Sequence, residues 1–164
     1  MERNTEGSPG NKALFLDLVG TLVALDETRQ LPLGPDGAIR LVLMPNVVAR
    51  LAPERDRLVF VVTNQAGVAR GRLSLAQLEQ AMAELDRLLG MVLTGWRICP
   101  HDEGDGCPCR KPRPAMLLEL AADYGVDMAA SLMVGDQEVD RQTAANAGVG
   151  GFAWAADFFG WNVS

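Results

Sequence analysis

Short runs of apolar residues alternate along this chain with longer stretches in which apolar residues recur at helical spacing. A continuous apolar run is typical of a strand that is buried on both faces. The predicted strands are residues 13–16, 58–62, 91–98 and 132–134, with residues 151–155 as an added edge strand. Strands that alternate with helices predict an α/β fold built on a parallel sheet.

Start and stop signals bound the helices between these strands. A proline can open a helix at residue 45, and Pro53 is expected to close it after about residue 51. Ser74 and Gln77 have the form of a capping box, which predicts the start of the next helix. The predicted helices are residues 45–51, 75–89, 116–124 and 137–147.

Charge and the polar N-terminus narrow the choice of partners. The 164 residues include 15 basic and 21 acidic side chains, for a net charge of −6. This balance makes nucleic acid an unlikely main partner, because phosphate backbones are bound by basic surfaces.

Residues 1–12 predict a flexible leader without a secretory signal, and residues 13–164 predict a single domain. No apolar run reaches the ~18 residues of a membrane span, so we expect a cytoplasmic protein with no membrane partner.

Three of the predicted strands are followed by a reactive polar residue. These residues are Asp17, Thr63 and Asp136, and Lys111 lies in the loop before the helix at 116–124. Ligands of parallel sheets bind at the carboxyl ends of the strands, so we expect these side chains to meet. A carboxylate there can be a nucleophile, a metal ligand or a cap on the next turn, and all three alternatives stay open.

Four segments resemble, in order and spacing, the motifs of the haloacid dehalogenase-like (HAD-like) phosphatases. They are Asp-Leu-Val-Gly-Thr at 17–21, Thr-Asn-Gln-Ala-Gly at 63–67, Arg-Lys-Pro at 110–112 and Gly-Asp-Gln-Glu-Val-Asp at 135–140. The sequence is most similar to the capless branch of heptose bisphosphate and histidinol-phosphate phosphatases. This resemblance implies a Rossmann-like three-layer sandwich with a central parallel sheet and a single HAD-like phosphatase domain.

The resemblance also implies roles for the strand-end residues. Asp17 would attack the phosphate to form an aspartyl phosphate, which splits a slow hydrolysis into two steps. Asp17, Asp136 and the backbone carbonyl of Val19 would bind Mg²⁺, which prefers oxygen ligands. The remaining catalytic and substrate-binding residues that it implies are Thr63, Asn64, Arg110 and Lys111.

Asp140 lies one helical turn beyond Asp136 and has no single assignment. It could bind the metal through water or hold Lys111. A carboxylate that only stabilises the N-terminus of its helix is an equally good interpretation.

Val19 is the position at which this chain departs from the family. The resemblance places there a second aspartate, the general acid/base that protonates the leaving alkoxide and then activates water. Valine has no titratable proton, and loss of a general acid/base typically slows a reaction by ~10²–10⁴. The chain is thus a slow phosphatase, a phosphate-binding pseudoenzyme, or an enzyme that uses another acid/base, for which Asp26 and Glu27 are candidates.

All cysteine and histidine residues of the chain lie within eleven positions. The cluster consists of Cys99, His101, Cys107 and Cys109. Four such ligands on one loop are typical of a structural zinc site, and the same insertion is found in the heptose bisphosphate phosphatase branch. The alternative is a set of reduced cysteines with a surface histidine. A zinc ion would fix the loop that delivers Arg110, a candidate ligand for a second phosphate or a sugar hydroxyl.

The expected function is Mg²⁺-dependent hydrolysis of a small sugar phosphate or related phosphomonoester, with activity reduced by Val19. A catalytically impaired, zinc-stabilised phosphate-binding protein is one alternative. A nucleic-acid 3′-phosphatase is the other, and the net charge of −6 disfavours it. The expected partner is a small phosphorylated metabolite, and the expected oligomeric state is a monomer.

Overall fold

The computed structural model describes residues 11–161 and contains one five-stranded parallel sheet in the order β3-β2-β1-β4-β5. The strands are β1 (Ala13–Leu16), β2 (Leu58–Asn64), β3 (Gly95–Cys99), β4 (Leu132–Gly135) and β5 (Gly151–Trp154). Each neighbouring pair runs parallel, which confirms the predicted fold class and the edge strand. Residues 1–10 of the predicted leader lie outside the described residues, whereas Asn11 already pairs with Val126.

Helices connect the strands in the predicted order. They are α1 (Val47–Leu51), α2 (Leu75–Leu88), α3 (Ala115–Tyr124), α4 (Glu138–Ala147) and α5 (Ala155–Phe158), with 3₁₀ turns at Ala52–Asp56, Glu103–Asp105 and Met128–Ala130. The predicted capping box of α2 is present, since Ser74 Oγ accepts from the Gln77 backbone and Gln77 accepts in return. Among the described residues, no helix is both long and apolar enough to cross a membrane.

Two predicted boundaries are wrong for identifiable reasons. The helix predicted to open at residue 45 begins only at Val47, because Asn46 has a left-handed φ of 66°. Its predicted end at residue 51 is confirmed, and a 3₁₀ turn with Pro53 in its first turn follows directly. The strand predicted at 91–98 begins only at Gly95. Met91 has a left-handed φ of 62°, and Val92 is buried by packing against the core without strand pairing.

The sheet is covered on both faces, as a three-layer sandwich requires. Alternate residues of a strand point to opposite faces. Leu14 and Leu16 of β1 pack into a core with α1, α2 and α5, whereas Phe15 packs into a second core with α3 and α4. Because β1 lies between β2 and β4, the carboxyl ends of these strands meet at the point where the strand order reverses, the usual ligand site of such sheets.

Candidate functional site

A cavity of about 580 Å³ opens at the carboxyl edge of the sheet. The predicted residues that line it are Asp17, Val19, Thr63, Asn64, Arg110 and Lys111. Asp136 lies next to them, since oxygen atoms of Asp17, Asp136 and Asp140 all lie within 4.8 Å of one another. The fold thus brings the strand-end residues to one place, as the sequence predicted.

Lys111 is the buried centre of this site. Its Nζ donates to Asp17 Oδ1 at 2.7 Å, to Asp140 Oδ1 at 2.7 Å and to the backbone carbonyl of Val62 at 3.1 Å. Burial alone would lower the pKa of Lys111, but the charges of Asp17 and Asp140 outweigh it and raise that pKa above its ordinary value. Lys111 is therefore a fixed cation with all three protons donated.

The carboxylates around Lys111 are buried with it. Burial is the largest influence on Asp17 and raises the pKa of its carboxyl, Lys111 acts in the opposite direction, and the neighbouring Asp136 raises the pKa further. Burial and the charge of Asp17 likewise raise the pKa of Asp140. A cation placed between these groups would relieve the repulsion between their charged forms.

Asp140 combines two of the roles that the sequence left open. One oxygen contacts Lys111, and the other accepts from the Gln137 backbone N–H at 3.2 Å, which caps helix α4. Gly135 allows this close packing, because a Cβ there would lie 2.4 Å from the Asp140 Cβ. Asp140 thus holds Lys111, as one interpretation predicted, and it stabilises the N-terminus of α4 in addition, so it does not serve the helix alone.

Asp17 and Asp136 offer oxygen donors that suit a hard divalent cation. Thr21 Oγ1 lies 3.4 Å from Asp17 Oδ2 and 3.3 Å from Asp136 Oδ1, so it links the two carboxylates on the side away from Lys111. Gly20, at φ 84°, leaves room for them, since a Cβ there would lie 2.3 Å from Asp136 Oδ2. Carboxylates grouped in this way fit Mg²⁺, which prefers oxygen ligands.

Thr63 and Asn64 end β2 beside Lys111. Thr63 is buried, and its Oγ1 accepts from the Gln65 side chain at 2.9 Å. Asn64 Oδ1 accepts from the Lys111 backbone N–H at 2.9 Å, and Asn64 Nδ2 donates to the Lys111 carbonyl at 3.3 Å. Both polar atoms of the Asn64 side chain therefore hold the backbone of Lys111.

Val19 is half-buried and faces the cavity without a proton to exchange. The structure does not bring the proposed substitutes to it. Asp26 accepts from Thr28 and Gln30 and pairs with Arg72 at 3.0 Å. Those hydrogen bonds lower the pKa of Asp26, and neither Asp26 nor Glu27 lines the cavity. The structure therefore gives no support to either residue as a substitute acid/base.

Thr21 and Arg29 are among the residues of the site that the sequence did not predict. Thr21 stands one turn beyond Asp17 within a recognised motif, and its position in that motif was the available signal. Arg29 also lines the cavity and lies 3.5 Å from Asp136. No pattern singles out Arg29, because it belongs to an irregular segment.

The cysteine and histidine cluster is assembled beside this cavity. Cys99 Sγ lies 3.6 Å from Cys107 Sγ and 2.7 Å from Cys109 Sγ. His101 Nδ1 lies 3.5 Å from Cys99 Sγ and 3.2 Å from Cys109 Sγ. Tetrahedral zinc with bonds of about 2.0–2.3 Å separates its ligand atoms by about 3.5–3.7 Å. Two of the four distances lie at that value and two are shorter, so the four ligand atoms lie close enough together for one zinc ion to bind them.

The three thiols of the cluster ionise unequally. Burial opposes ionisation and raises the pKa of Cys99, and burial together with the neighbouring thiols raises the pKa of Cys109. Hydrogen bonds from the Arg110 backbone and the neighbouring thiols outweigh burial at Cys107 and lower its pKa to about 7. A thiol that ionises near neutral pH binds metal readily, because the thiolate is the ligand.

The loop that contains the cluster is fastened to the rest of the site. Arg70 donates twice to Asp102, at 2.8 Å each, in a bidentate pair. Arg110 donates to the carbonyl of His101 at 3.3 Å and lies 3.8 Å from Glu103. The loop thereby holds Arg110 and Lys111 at the cavity.

The parallel sheet, with a lysine and three carboxylates at its switch point, defines an α/β protein of the HAD-like hydrolase class. A family model described as HAD-hydrolase-like matches residues 108–156. A crystal structure of the D,D-heptose 1,7-bisphosphate phosphatase of B. bronchiseptica, complexed with magnesium and phosphate, is similar with a TM-score of 0.73 and 32% identity. That similarity covers 87% of this chain and 78% of the other.

Curated relatives agree with this class. The D-glycero-β-D-manno-heptose-1,7-bisphosphate 7-phosphatase of Rhodopseudomonas palustris is 34% identical over 168 residues, which cover 93% of this chain and 88% of the relative. The Bordetella bronchiseptica protein of the same name is 41% identical over 117 residues, covering 70% of this chain and 65% of that relative's length. The chain belongs to the HAD-like hydrolase family, near members that bear this name.

Proposed function

We propose that this protein is a Mg²⁺-dependent phosphomonoester hydrolase that acts on a small sugar bisphosphate. The observation that carries the proposal is the buried contact of Lys111 with Asp17, next to the carboxylate pair of Asp17 and Asp136. The names of the relatives support a heptose bisphosphate as the substrate. The magnesium and phosphate bound in the Bordetella structure support the same cofactor here.

The charge of the cavity supports a substrate with several negative charges. Its cationic lining residues are Arg29, Arg70, Arg110, Lys111 and Arg113, against the carboxylates Asp17, Glu103 and Asp140. This excess stands out on a chain with a net charge of −6. Local positive charge attracts anionic ligands and raises their local concentration. We propose that the partner is a small phosphorylated metabolite. We also propose that the protein is a cytoplasmic monomer.

The mechanism that we propose uses the residues in fixed roles. Asp17 attacks the phosphorus atom, the ester oxygen departs, and an aspartyl phosphate forms on Asp17. Thr63 donates to a phosphoryl oxygen, and Lys111 stabilises the negative charge of the transferring group. Asn64 holds the backbone of Lys111 in place. Bound between Asp17, Asp136 and the Val19 carbonyl, Mg²⁺ would neutralise charge on the phosphate.

Val19 weakens the two proton-transfer steps of this mechanism. The leaving alkoxide receives no proton from position 19, and water that attacks the aspartyl phosphate loses none to it. Aryl and acyl leaving groups need less protonation, so we expect faster release of those groups. We also expect phosphorylated Asp17 to accumulate, because its hydrolysis lacks the same base.

The cysteine and histidine cluster has a structural role in this proposal. We infer that one Zn²⁺ binds Cys99, His101, Cys107 and Cys109 with no open position for substrate. Structural zinc contributes directly to folding free energy. Here it would fix the loop that places Arg110 and Lys111 at the cavity.

The proposed function is tested by measuring phosphate release in the presence of Mg²⁺ from two substrates, a sugar bisphosphate and an aryl phosphate. The control is the variant Asp17→Asn. We expect measurable release of phosphate from the aryl ester, slower release from the sugar ester, and none from the variant. Binding of phosphate without any turnover would favour the second candidate, a phosphate-binding pseudoenzyme, which Val19 supports. Absence of both binding and turnover would contradict the proposal.

A further inference from the structure

A tight turn at residues 26–30 presents Arg29 to the cavity. The Asp26 carboxylate accepts from the backbone N–H of Thr28 at 2.8 Å, from the Thr28 hydroxyl at 2.7 Å and from the Gln30 N–H at 3.0 Å. Arg29 has a left-handed φ of 63°, which L-residues adopt uncommonly. The hydrogen bonds of Asp26 hold this conformation in place.

The turn is also attached to the loop that follows β2. Arg72 donates to Asp26 Oδ2 at 3.0 Å and to the carbonyl of Leu31 at 2.9 Å. The consecutive polar residues Thr28, Arg29 and Gln30 all line the cavity. One wall of the cavity is thus a polar turn whose position is fixed from two sides.

The guanidinium groups of the arginines that line the cavity differ in their partners. The guanidinium of Arg70 donates to Asp102. Those of Arg110 and Arg113 donate to the backbone carbonyls of His101 and Cys107, respectively. The side chain of Arg29 is 58% exposed, and its ion pair with Asp136 is long, at 3.5 Å. The Gln137 amide, turned so that its oxygen faces Arg29, accepts from its guanidinium at 2.9 and 3.2 Å.

We propose that Arg29 is a specificity-determining residue that binds a second phosphate on the leaving part of the substrate. Arg29 and Val19 line the same cavity. Val19 occupies the position at which the family has the acid that protonates the leaving group. A guanidinium presents a planar pair of donors that matches a phosphate in bidentate geometry. The inference rests on the proposed function and assigns to Arg29 a selectivity that sequence reasoning gave to Arg110.

Binding of three anions in the presence of Mg²⁺, measured by calorimetry, tests this role. The probes are orthophosphate, fructose 6-phosphate and fructose 1,6-bisphosphate, and the proteins are the full unmodified chain, Arg29→Gln and Arg29→Lys. The matched control is Arg40→Gln, because Arg40 is an exposed arginine of the same irregular segment outside the cavity lining.

We expect the unmodified chain to bind the bisphosphate more tightly than the monophosphate. Arg29→Gln should reduce that preference about 10-fold, because hydrogen bonds to charged groups are worth roughly this factor or more. Arg29→Lys should retain part of the preference, Arg40→Gln all of it, and orthophosphate affinity should not change.

Two results would overturn the inference. One is an unchanged preference for the bisphosphate in Arg29→Gln. The other is an equal loss of affinity for orthophosphate and bisphosphate in that variant, which would mean that Arg29 acts on the metal or the transferred phosphate. Failure of the unmodified chain to bind orthophosphate would instead reject the proposed function, and this inference with it.

Discussion

The two sides of the cavity differ in how completely their charges are paired. On the nucleophile side, Lys111 contacts both Asp17 and Asp140 at 2.7 Å, and all three side chains are buried. Elsewhere in the cavity lining are Val19, which has no proton to transfer, and Arg29, whose side chain is 58% exposed and whose ion pair with Asp136 is 3.5 Å long. Under the proposed mechanism we therefore expect this site to support binding and nucleophilic attack, and we expect proton transfer to be slow.

This contrast suggests a division of roles within the proposed site. We expect the buried ion cluster to stabilise the fold as well as to bind the phosphate, because an unpaired buried charge is strongly destabilising. In the proposed mechanism, the side chain at position 19 concerns only proton transfer. Substitutions in the cluster of Lys111, Asp17 and Asp140 should therefore affect stability, and substitutions of Val19 should affect turnover.

The largest stability effect is expected for Lys111→Met. This variant leaves the buried carboxylates of Asp17 and Asp140 without their cation, which should lower the free energy of unfolding by ~3–5 kcal/mol. Urea denaturation measures the change. Arg141→Gln is the matched control, since it breaks an exposed pair with Glu138 and should change stability by only ~0–1 kcal/mol. Equal effects of the two variants would refute the difference between buried and exposed pairs.

Loss of the proposed zinc site should have the next largest effect. The purified protein is expected to contain about one zinc per chain, measured by elemental analysis, because four ligands complete a tetrahedral site. Cys109→Ser should lower both zinc content and thermal stability. At a hundredfold excess of metal over Kd, the lost stabilisation is about 2.7 kcal/mol. Protein refolded with zinc that nevertheless contains none would rule out the site.

Asn64→Ala should have the smallest effect of these variants. It removes two hydrogen bonds to the Lys111 backbone, at 2.9 and 3.3 Å, which are worth about 1–2 kcal/mol together. We expect weaker orthophosphate binding with a modest loss of stability, measured by calorimetry and urea denaturation. Unchanged stability with a large loss of affinity would mean that Asn64 contacts the phosphate directly.

The sequence was sufficient to predict the sheet and the residues at its carboxyl edge. Continuous apolar runs identified the strands, and polar residues such as Asp17 and Thr63 followed them directly. The start of β3 was misjudged because Val92 is apolar for packing, and apolarity does not distinguish a buried loop residue from a strand residue. The local pattern predicts burial better than it predicts backbone hydrogen bonding.

The partners of individual side chains could not be predicted in the same way. Asn64 was expected to bind substrate, and it lines the cavity, but the contact of its amide with the backbone of a residue 47 positions away was not predicted. Arg29 reaches the cavity through the left-handed turn organised by Asp26, and the hydrogen bonds of that turn hold the Asp26 carboxylate outside the cavity lining. Such contacts depend on tertiary packing of irregular segments, for which hydrophobic periodicity contains no signal.

Turnover of a sugar phosphate by Val19→Asp tests the central claim most directly. The variant restores a titratable group beside the leaving oxygen and should raise the rate by ~10²–10⁴ over the unmodified chain. Val19→Asn is the matched control, because it has similar size and polarity but no proton to transfer, and it should give no increase. The account is contradicted if the unmodified chain already hydrolyses the ester at an ordinary ~10 s⁻¹, or if Val19→Asp binds phosphate normally without any gain in rate.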